Sequence, residues 1–355
     1  MDKLKKNELG SLLEHFSIER KPYLFVPIND GLINDTYRVL DQDTSVYILQ
    51  RINHNTFKDI EGLMSNVKNA LQYLKDTDYA PISLVRTKWG KSYFEDAEKG
   101  FWRLMTYIDQ STAHNTAENE KIAFEAGRIV GKFHTLLQYA PKTAFVETIP
   151  DFHNLRVREV QFEQAVVSAK KEALEKAKGA IAFAKDTFPL FSDLSTGDLP
   201  VRICHNDTKL NNILFSKVTD KSLCLIDLDT VMTGHFYYDF GDAVRTIVNS
   251  AKEDERQHGK ISFDRRFFEA FLDGLSLNGS FLTAREIELL PLGAAFMPFI
   301  HGLRALTDYL DGNRYYKVTY ENQNLDRCLS LFNFTQKTLV LLDYMKITTA
   351  EKLGR

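Results

Sequence analysis

Along the first hundred residues, apolar positions recur in short bursts separated by turn residues. The stretches 24–28, 36–40 and 46–51 read as strands, and strand-like runs return at 82–87, 92–94 and 101–108. One segment breaks this rhythm. Between 57 and 75 the apolar residues Ile60, Leu63, Met64, Val67, Leu71 and Leu74 fall at helical spacing. A short amphipathic helix is expected at 9–16. From about residue 109 the helical period dominates, first in the stripe Ile122, Ala126, Ile129, Val130, Phe133 and Leu137. A long charge-rich helix is predicted over 157–187, and further helices over 240–250, 264–274, 284–310 and 323–345. Charge along 157–187 reads as a solvated face. The pattern predicts an α+β chain in two lobes. Residues 1–108 form a small antiparallel sheet with one inserted helix, and residues 109–355 form a mostly helical lobe. The boundary falls near 107–111.

A strand hairpin interrupts the helical half, and it carries the most informative residues. The stretch 212–215 reads as one strand, Thr219-Asp220-Lys221 as a turn, and 222–226 as the returning strand that delivers Asp227. Just before it stands His205-Asn206-Asp207-Thr208-Lys209-Leu210-Asn211-Asn212. An acid, an amide five residues on, and a second acid at the end of the hairpin bring oxygen ligands to one place. Hard oxygen ligands suit Mg²⁺. Asp229 lies two residues beyond Asp227. If that segment is extended, both carboxylates point to one side, where they repel unless a cation sits between them. A solvated polar loop is the plain alternative.

Composition narrows the field only modestly. The 355 residues are 44% hydrophobic, enough to fill the cores of two lobes. The formal net charge of −3 argues against general affinity for nucleic acid. Cys204, Cys224 and Cys328 form no paired metal motif, and a reducing compartment fits them. No run approaches 18 uninterrupted apolar residues, so no membrane span is expected and the expected location is cytoplasmic. The oligomeric state is left open.

These motifs resemble those of the aminoglycoside phosphotransferase and choline kinase superfamily. Within it the nearest resemblance is to the N-acetylhexosamine 1-kinase branch. The carrying segments are residues 31–37, 47–53, 205–212, 226–232, 238–242 and 324–327, which span nearly the whole chain. The resemblance implies a bilobal protein-kinase-like fold. It also implies direct transfer of the γ-phosphate of ATP, with Mg²⁺, to the anomeric hydroxyl of an N-acetylhexosamine or related sugar. Other acceptors of the superfamily, choline or ethanolamine, homoserine or an aminoglycoside, are the alternatives, as is a nucleotide-binding module without catalysis.

By that resemblance Asp207 is the catalytic residue that meets the acceptor hydroxyl. Asn212 and Asp227 are expected to hold the metal, with Asp229 as a possible further ligand. Positioning and charge neutralisation carry most of phosphoryl transfer. His205 is expected to pack beneath the catalytic loop. Asp239, although followed by Phe240-Gly241, is read as a structural cap on backbone N–H groups. The nucleotide is expected to meet Gly31 in the bend of a phosphate loop at 29–34, and backbone groups near Met105 and Tyr107. The third strand lacks the expected lysine and offers Gln50-Arg51 instead. Arg51 is favoured as the cation on the phosphates, with Glu61 as its acidic partner. If Gln50 faces the cleft, Arg51 is a surface residue. Arg304, Tyr315 and Asn324 are expected to contact the sugar, with Asn34 and Asp35 closing the site from the small lobe. Arg304 could instead pair with Asp308 one turn on.

Overall fold

The computed structural model describes residues 6–28, 33–191, 194 and 198–354. After a first helix, α1 (Lys6–Leu13), come three consecutive strands: β1 (Leu24–Ile28), β2 (Asp35–Asp41) and β3 (Thr44–Ile52). After α2 (Ile60–Tyr73) come β4 (Leu84–Val85), β5 (Phe94–Asp96) and β6 (Gly100–Thr106). All pair antiparallel in one six-stranded sheet of order β1-β2-β3-β6-β4, with β5 also on β6. Short local connections favour this antiparallel build.

The two faces of the sheet differ in what covers them. Tyr37, Val39, Leu49, Trp102 and Leu104 pack with Leu9, Leu12, Leu13 and Phe16 from α1 (Lys6–Leu13) and the turn after it. The opposite face carries Thr36, Gln50 and Arg103 and looks toward the helical part of the chain. Helix α2 does not belong to the small core. Its Ile60, Leu63, Met64 and Val67 join the large core that runs through the helical half. The side-chain amide of Asn66 on α2 donates to Val146 O at 2.7 Å and Val231 O at 2.9 Å, so α2 is sewn to the backbone of the helical half at both places.

The helical half is built on α3 (Glu120–Leu137), α6 (Phe236–Ile247), α7 (Arg265–Ser276) and α8 (Ala284–Leu310). Helices α3 and α7 cross with Gly127 and Gly274 at the contact. A Cβ at either would run into the carbonyl of Phe271 or Phe124. By length and composition α8 could cross a membrane, but 83% of its most apolar window is buried inside the fold, which accounts for its apolar character. The helix expected over 157–187 is two helices, α4 (Leu155–Ser168) and α5 (Lys171–Phe191), because Ala169 is extended at ψ 150°. The helix expected over 323–345 likewise divides at Leu341 into α9 (Gln323–Val340) and α10 (Leu342–Leu353). Both breaks fall where apolar periodicity continues across a one- or two-residue corner, so the pattern carries no sign of them.

Candidate active site

Strand β8 (Arg202–Cys204) pairs with β11 (Met232–Gly234), and both lead into the site. Between them β9 (Ile213–Ser216) and β10 (Ser222–Leu225) form the expected hairpin, with β7 (Ser111–Thr112) on its outer edge. The loop after β8 is held from beneath by Asp239, which is wholly buried on α6. Its carboxylate accepts the backbone N–H of His205 at 2.7 Å, that of Asn206 at 2.6 Å, and His134 Nε2 at 2.8 Å. Asp239 is therefore a cap on backbone donors. Asn206 sits at φ 62°, a left-handed conformation that asparagine tolerates better than most residues. Its amide donates to Thr230 O at 3.0 Å, and Thr230 Oγ1 donates to His205 O at 2.7 Å. His205 lies under the loop with Nε2 2.8 Å from Ile226 O. These bonds bind the 205–208 loop to the turn after Asp227.

Asp207 projects from this frame into the cleft. Its Oδ2 accepts from Lys209 Nζ at 2.7 Å and from Asn212 Nδ2 at 2.8 Å. Asn212 Nδ2 also donates to Asp207 O at 2.8 Å, which turns its Oδ1 away from Asp207. Burial works against the Lys209 charge, but Asp207 and then Asp227 outweigh it and hold the ammonium above its ordinary pKa. Asp227 differs from every other acid of the site. Among the described residues its carboxylate has no hydrogen bond and no ion pair, and the residue is open to solvent in the cleft. Although one side of the residue reaches solvent, desolvation on the side turned to the protein, then repulsion from Asp229 and Asp207, pushes its pKa up to about 6. An unpartnered carboxylate repelled by its neighbours fits a divalent cation, and Asn212 Oδ1 supplies a second hard oxygen nearby.

Asp229 is not placed as an extended strand would place it. Asp227 is left-handed at φ 59°, and residues Leu228–Thr230 make one turn of 3₁₀ helix. Asp229 is thereby buried, where Oδ1 pairs with Arg103 and Oδ2 accepts from Asn34 Nδ2 at 2.7 Å. Both oxygens are committed to protein partners.

The nucleotide side requires further corrections. Gly31 lies outside the described residues. Arg51 points to the α1 face of the sheet, where Nε donates to Asp35 Oδ2 at 2.8 Å and the guanidinium stands 5.8 Å from the Trp102 ring centroid. Alternation then puts Gln50 on the cleft face, with Arg103 opposite it in register. Glu61 is exposed and takes no part. Met105 shares the cleft face and is half-buried beside Ile48 across the ladder. The Tyr107 N–H is already bonded to Val46 O at 3.0 Å, which removes one of the backbone donors expected for adenine.

On the acceptor side, Arg304 on α8 has no hydrogen bond or ion pair among the described residues. Its guanidinium stands 4.7 Å from the Phe152 ring centroid and 5.9 Å from that of Tyr315. Phe152 is followed by His153, whose Nε2 is 3.2 Å from Asn206 O, so this wall adjoins the loop that carries Asp207. His153 is held well below its ordinary pKa by burial, then by His301 and Arg304. Tyr315 is half exposed. Asn324 is buried, and its amide nitrogen donates to Asp308 Oδ2 and Asn313 Oδ1, each at 2.8 Å. Asp308 does not pair with Arg304. It accepts the backbone N–H groups of Arg314 at 2.8 Å, Tyr315 at 2.7 Å and Tyr316 at 3.0 Å. Asn324 and Asp308 therefore anchor the loop that presents Tyr315. Asn34 is taken by Asp229, and Asp35 is neutralised by Arg51.

Three contributors escaped the sequence reading. Arg103 carried a signal, a charged residue inside the apolar run Phe101-Trp102-Arg103-Leu104-Met105. Phe152 and His153 carried none, because only the tertiary fold brings them to the loop.

A family model described as the phosphotransferase enzyme family matches residues 25–276, well over half of the chain. Solved structures share the architecture. A microcompartment-associated aminopropanol kinase superposes with a TM-score of 0.65 at 16% identity, covering 96% of this chain and 98% of its own. Choline kinase from Cryptosporidium parvum Iowa II gives 0.60 at 13% identity, covering 99% and 100%. A spectinomycin phosphotransferase gives 0.59 at 15% identity, covering 98% and 100%. At these identities the likeness is one of fold.

Proposed function

The chain belongs to the phosphotransferase enzyme family and is a small-molecule kinase, and from that premise we propose that it transfers the γ-phosphate of ATP to the anomeric hydroxyl of an N-acetylhexosamine or closely related sugar. The spectinomycin phosphotransferase structure holds ADP, which supports a nucleotide in the cleft of the shared fold. In this reading Asp207 orients the acceptor hydroxyl and takes its proton. Lys209, hydrogen-bonded to Asp207, keeps a positive charge beside the transferring group. Asn212 and Asp227 are the residues that would hold Mg²⁺, which when bound neutralises the phosphate oxygens.

One observation carries the choice of acceptor. Arg51, Arg103, Arg128, Arg202, Arg245 and Arg327 each pair with a carboxylate. Among the described residues Arg304, like Arg158 and Arg38, has no carboxylate partner, and what sets it apart is its place against two aromatic rings beside the 205–212 loop. Its planar donors lie between two aromatic rings next to the catalytic loop and face outward from the protein's own bonds. Such a group donates to oxygen acceptors, the hydroxyl and amide oxygens of a sugar among them. It repels an ammonium, and its position over Phe152 and Tyr315 occupies ring faces that a choline-like cation would need. Nearby Arg158 adds to this field. Burial, then Arg304, lowers its pKa to about 10.

The test is turnover with Mg·ATP across a panel of N-acetylhexosamines, hexoses, choline, ethanolamine and homoserine, with the product identified by phosphorus NMR. A sugar 1-phosphate is expected, and the methyl glycoside should be inert. Arg304→Ala should raise KM for the sugar about 10-fold or more while changing KM for ATP little, since unpaired polar partners discriminate strongly. Phosphorylation of the methyl glycoside, or of choline in preference to every sugar, would overturn this reading.

A further inference from the structure

The third strand lacks a lysine, and the cation on the cleft face comes from the neighbouring strand. Arg103 is 1% exposed. Its Nε and one terminal nitrogen both donate to Gln50 Oε1, at 2.9 and 2.5 Å, and the other terminal nitrogen pairs with Asp229 Oδ1. Gln50 Nε2 donates to Thr36 Oγ1 at 3.0 Å, which fixes the amide so that its oxygen faces Arg103. The second oxygen of Asp229 accepts from Asn34. Asn34 Oδ1 in turn accepts the Asn53 N–H at 3.0 Å, and Asn53 Nδ2 donates to Ile33 O at 3.2 Å. One buried carboxylate thus joins the sheet, the end of the loop expected to meet phosphate, and the turn that carries Asp227.

A buried ion pair is a poor device for stability. Its desolvation cost offsets much of its attraction, and apolar replacements of like volume are often as stable. What such a pair specifies is relative position. The guanidinium forks between Gln50 and Asp229, and this fixes the distance from β6 to the metal turn in a way that a lysine could not.

We propose that Arg103 and Asp229 form a latch between the sheet and the metal turn, and that Asp229 is a positioning residue whose partners are Arg103 and Asn34. The latch couples the placement of residues 33–34 to that of Asp227, so that phosphate and metal are received by parts already in register. The inference rests on the reading of the cleft as a nucleotide site. It makes no use of the acceptor, so its test is independent of the sugar.

Hydrogen exchange on the ligand-free protein reads the latch directly. Arg103→Met should raise amide exchange at least 10-fold in segments 33–36 and 226–231, with α3 unchanged. Asn34→Ala, which leaves the buried pair intact, should loosen 33–36 alone. Mn²⁺ binding in the presence of ADP, followed by electron paramagnetic resonance, separates positioning from ligation. Asp227→Ala should abolish the bound signal. The double variant Arg103→Met/Asp229→Asn neutralises both partners and should retain the signal, weakened about 10- to 100-fold as for lost supporting partners. If Arg103→Met does not fold, Arg103→Lys keeps the charge without the fork and should show the same exchange pattern. Unchanged exchange in 226–231, or loss of Mn²⁺ in the double variant as complete as in Asp227→Ala, would overturn the proposal.

Discussion

Asp239 and Asp227 lie within one site, and the structure gives them opposite energetics. Asp239→Ala removes the acceptor of two buried backbone N–H groups and of His134. A hydrogen bond to a charged group contributes about 1.5–3 kcal/mol, and emptying a buried network typically costs about 3–5 kcal/mol. One of those two N–H groups belongs to the left-handed Asn206. A total near 3–5 kcal/mol is expected, which lowers Tm by roughly 6–20 °C at about 2–4 °C per kcal/mol, the lower end applying to a long chain. Asp227→Ala removes a carboxylate that has no hydrogen-bond or ion-pair partner among the described residues and is repelled by Asp229 and Asp207. Without metal it should leave Tm unchanged or raise it, while abolishing Mg²⁺-dependent turnover.

The sign with pH follows from linkage. The folded state raises the Asp227 pKa from 3.8 to about 6, so it binds that proton more tightly than the unfolded chain. The destabilisation is in full force above pH 6 and fades as pH falls toward 4. Any gain in Tm from Asp227→Ala should appear at pH 7.5 and vanish near pH 4. Differential scanning calorimetry with a chelator present measures both variants on one scale. A Tm shift below about 2 °C for Asp239→Ala, or a larger loss for Asp227→Ala than for Asp239→Ala, would refute the assignment of cap and metal ligand.

Asp207→Asn should reduce kcat by roughly 10²–10⁴-fold, the range for a lost general base, with ADP affinity measured by calorimetry nearly unchanged. Asn324→Ala frees one side of Asp308 and should loosen residues 313–316. The expected result is a several-fold rise in acceptor KM with kcat little changed, and an unchanged KM would remove the loop from acceptor binding. His301 is depressed to about 4, first by burial and then by Arg245. The unfolded chain takes up its proton near 6.5, so stability should fall as pH drops from 6.5 to 4, by at most roughly 3 kcal/mol from this residue. His301→Gln should flatten that limb in urea titrations, and an unchanged slope would exclude it as the source.

How much was legible in the sequence depended on whether the signal was local. Asp207, Asn212 and Asp227 share one short loop and hairpin, so their spacing alone predicted their convergence. The role of Asp239 as a cap was legible from its order after Asp227. The choice between Gln50 and Arg51 was not. Adjacent strand residues face opposite ways, and the phase of β3 is set by pairing with β6 and by α1 covering the far face. Arg103 meets Asp229 across 126 positions of sequence, a contact with no spacing rule. Asn324 and Arg304 both suggested a polar acceptor wall, yet the first is spent on Asp308 and only the second is free. A residue type shows what bonds it can make, and only the fold shows which are already made.

The unspent groups of the cleft are therefore the informative ones, and they have opposite sign on its two sides. Lys209 answers Asp207, and Arg103 answers Asp229. Among the described residues Asp227 is left as an unmatched carboxylate on the side proposed for the donor, and Arg304 as an unmatched guanidinium on the side proposed for the acceptor. An ammonium compound entering this cleft would be repelled by Arg304 and Arg158 and drawn toward Asp227, away from the wall that should present a hydroxyl to Asp207. Such a compound should act against the metal. We expect ethanolamine or choline at high concentration to inhibit sugar phosphorylation competitively with Mg²⁺ and without competing with the sugar. Charge pairs in a partly solvated cleft are modest and screened, so the effect should weaken as ionic strength rises from about 0.05 to 0.5 M. Inhibition competitive with the sugar would place a cation-accepting group on the acceptor wall and remove the charge argument for a neutral acceptor.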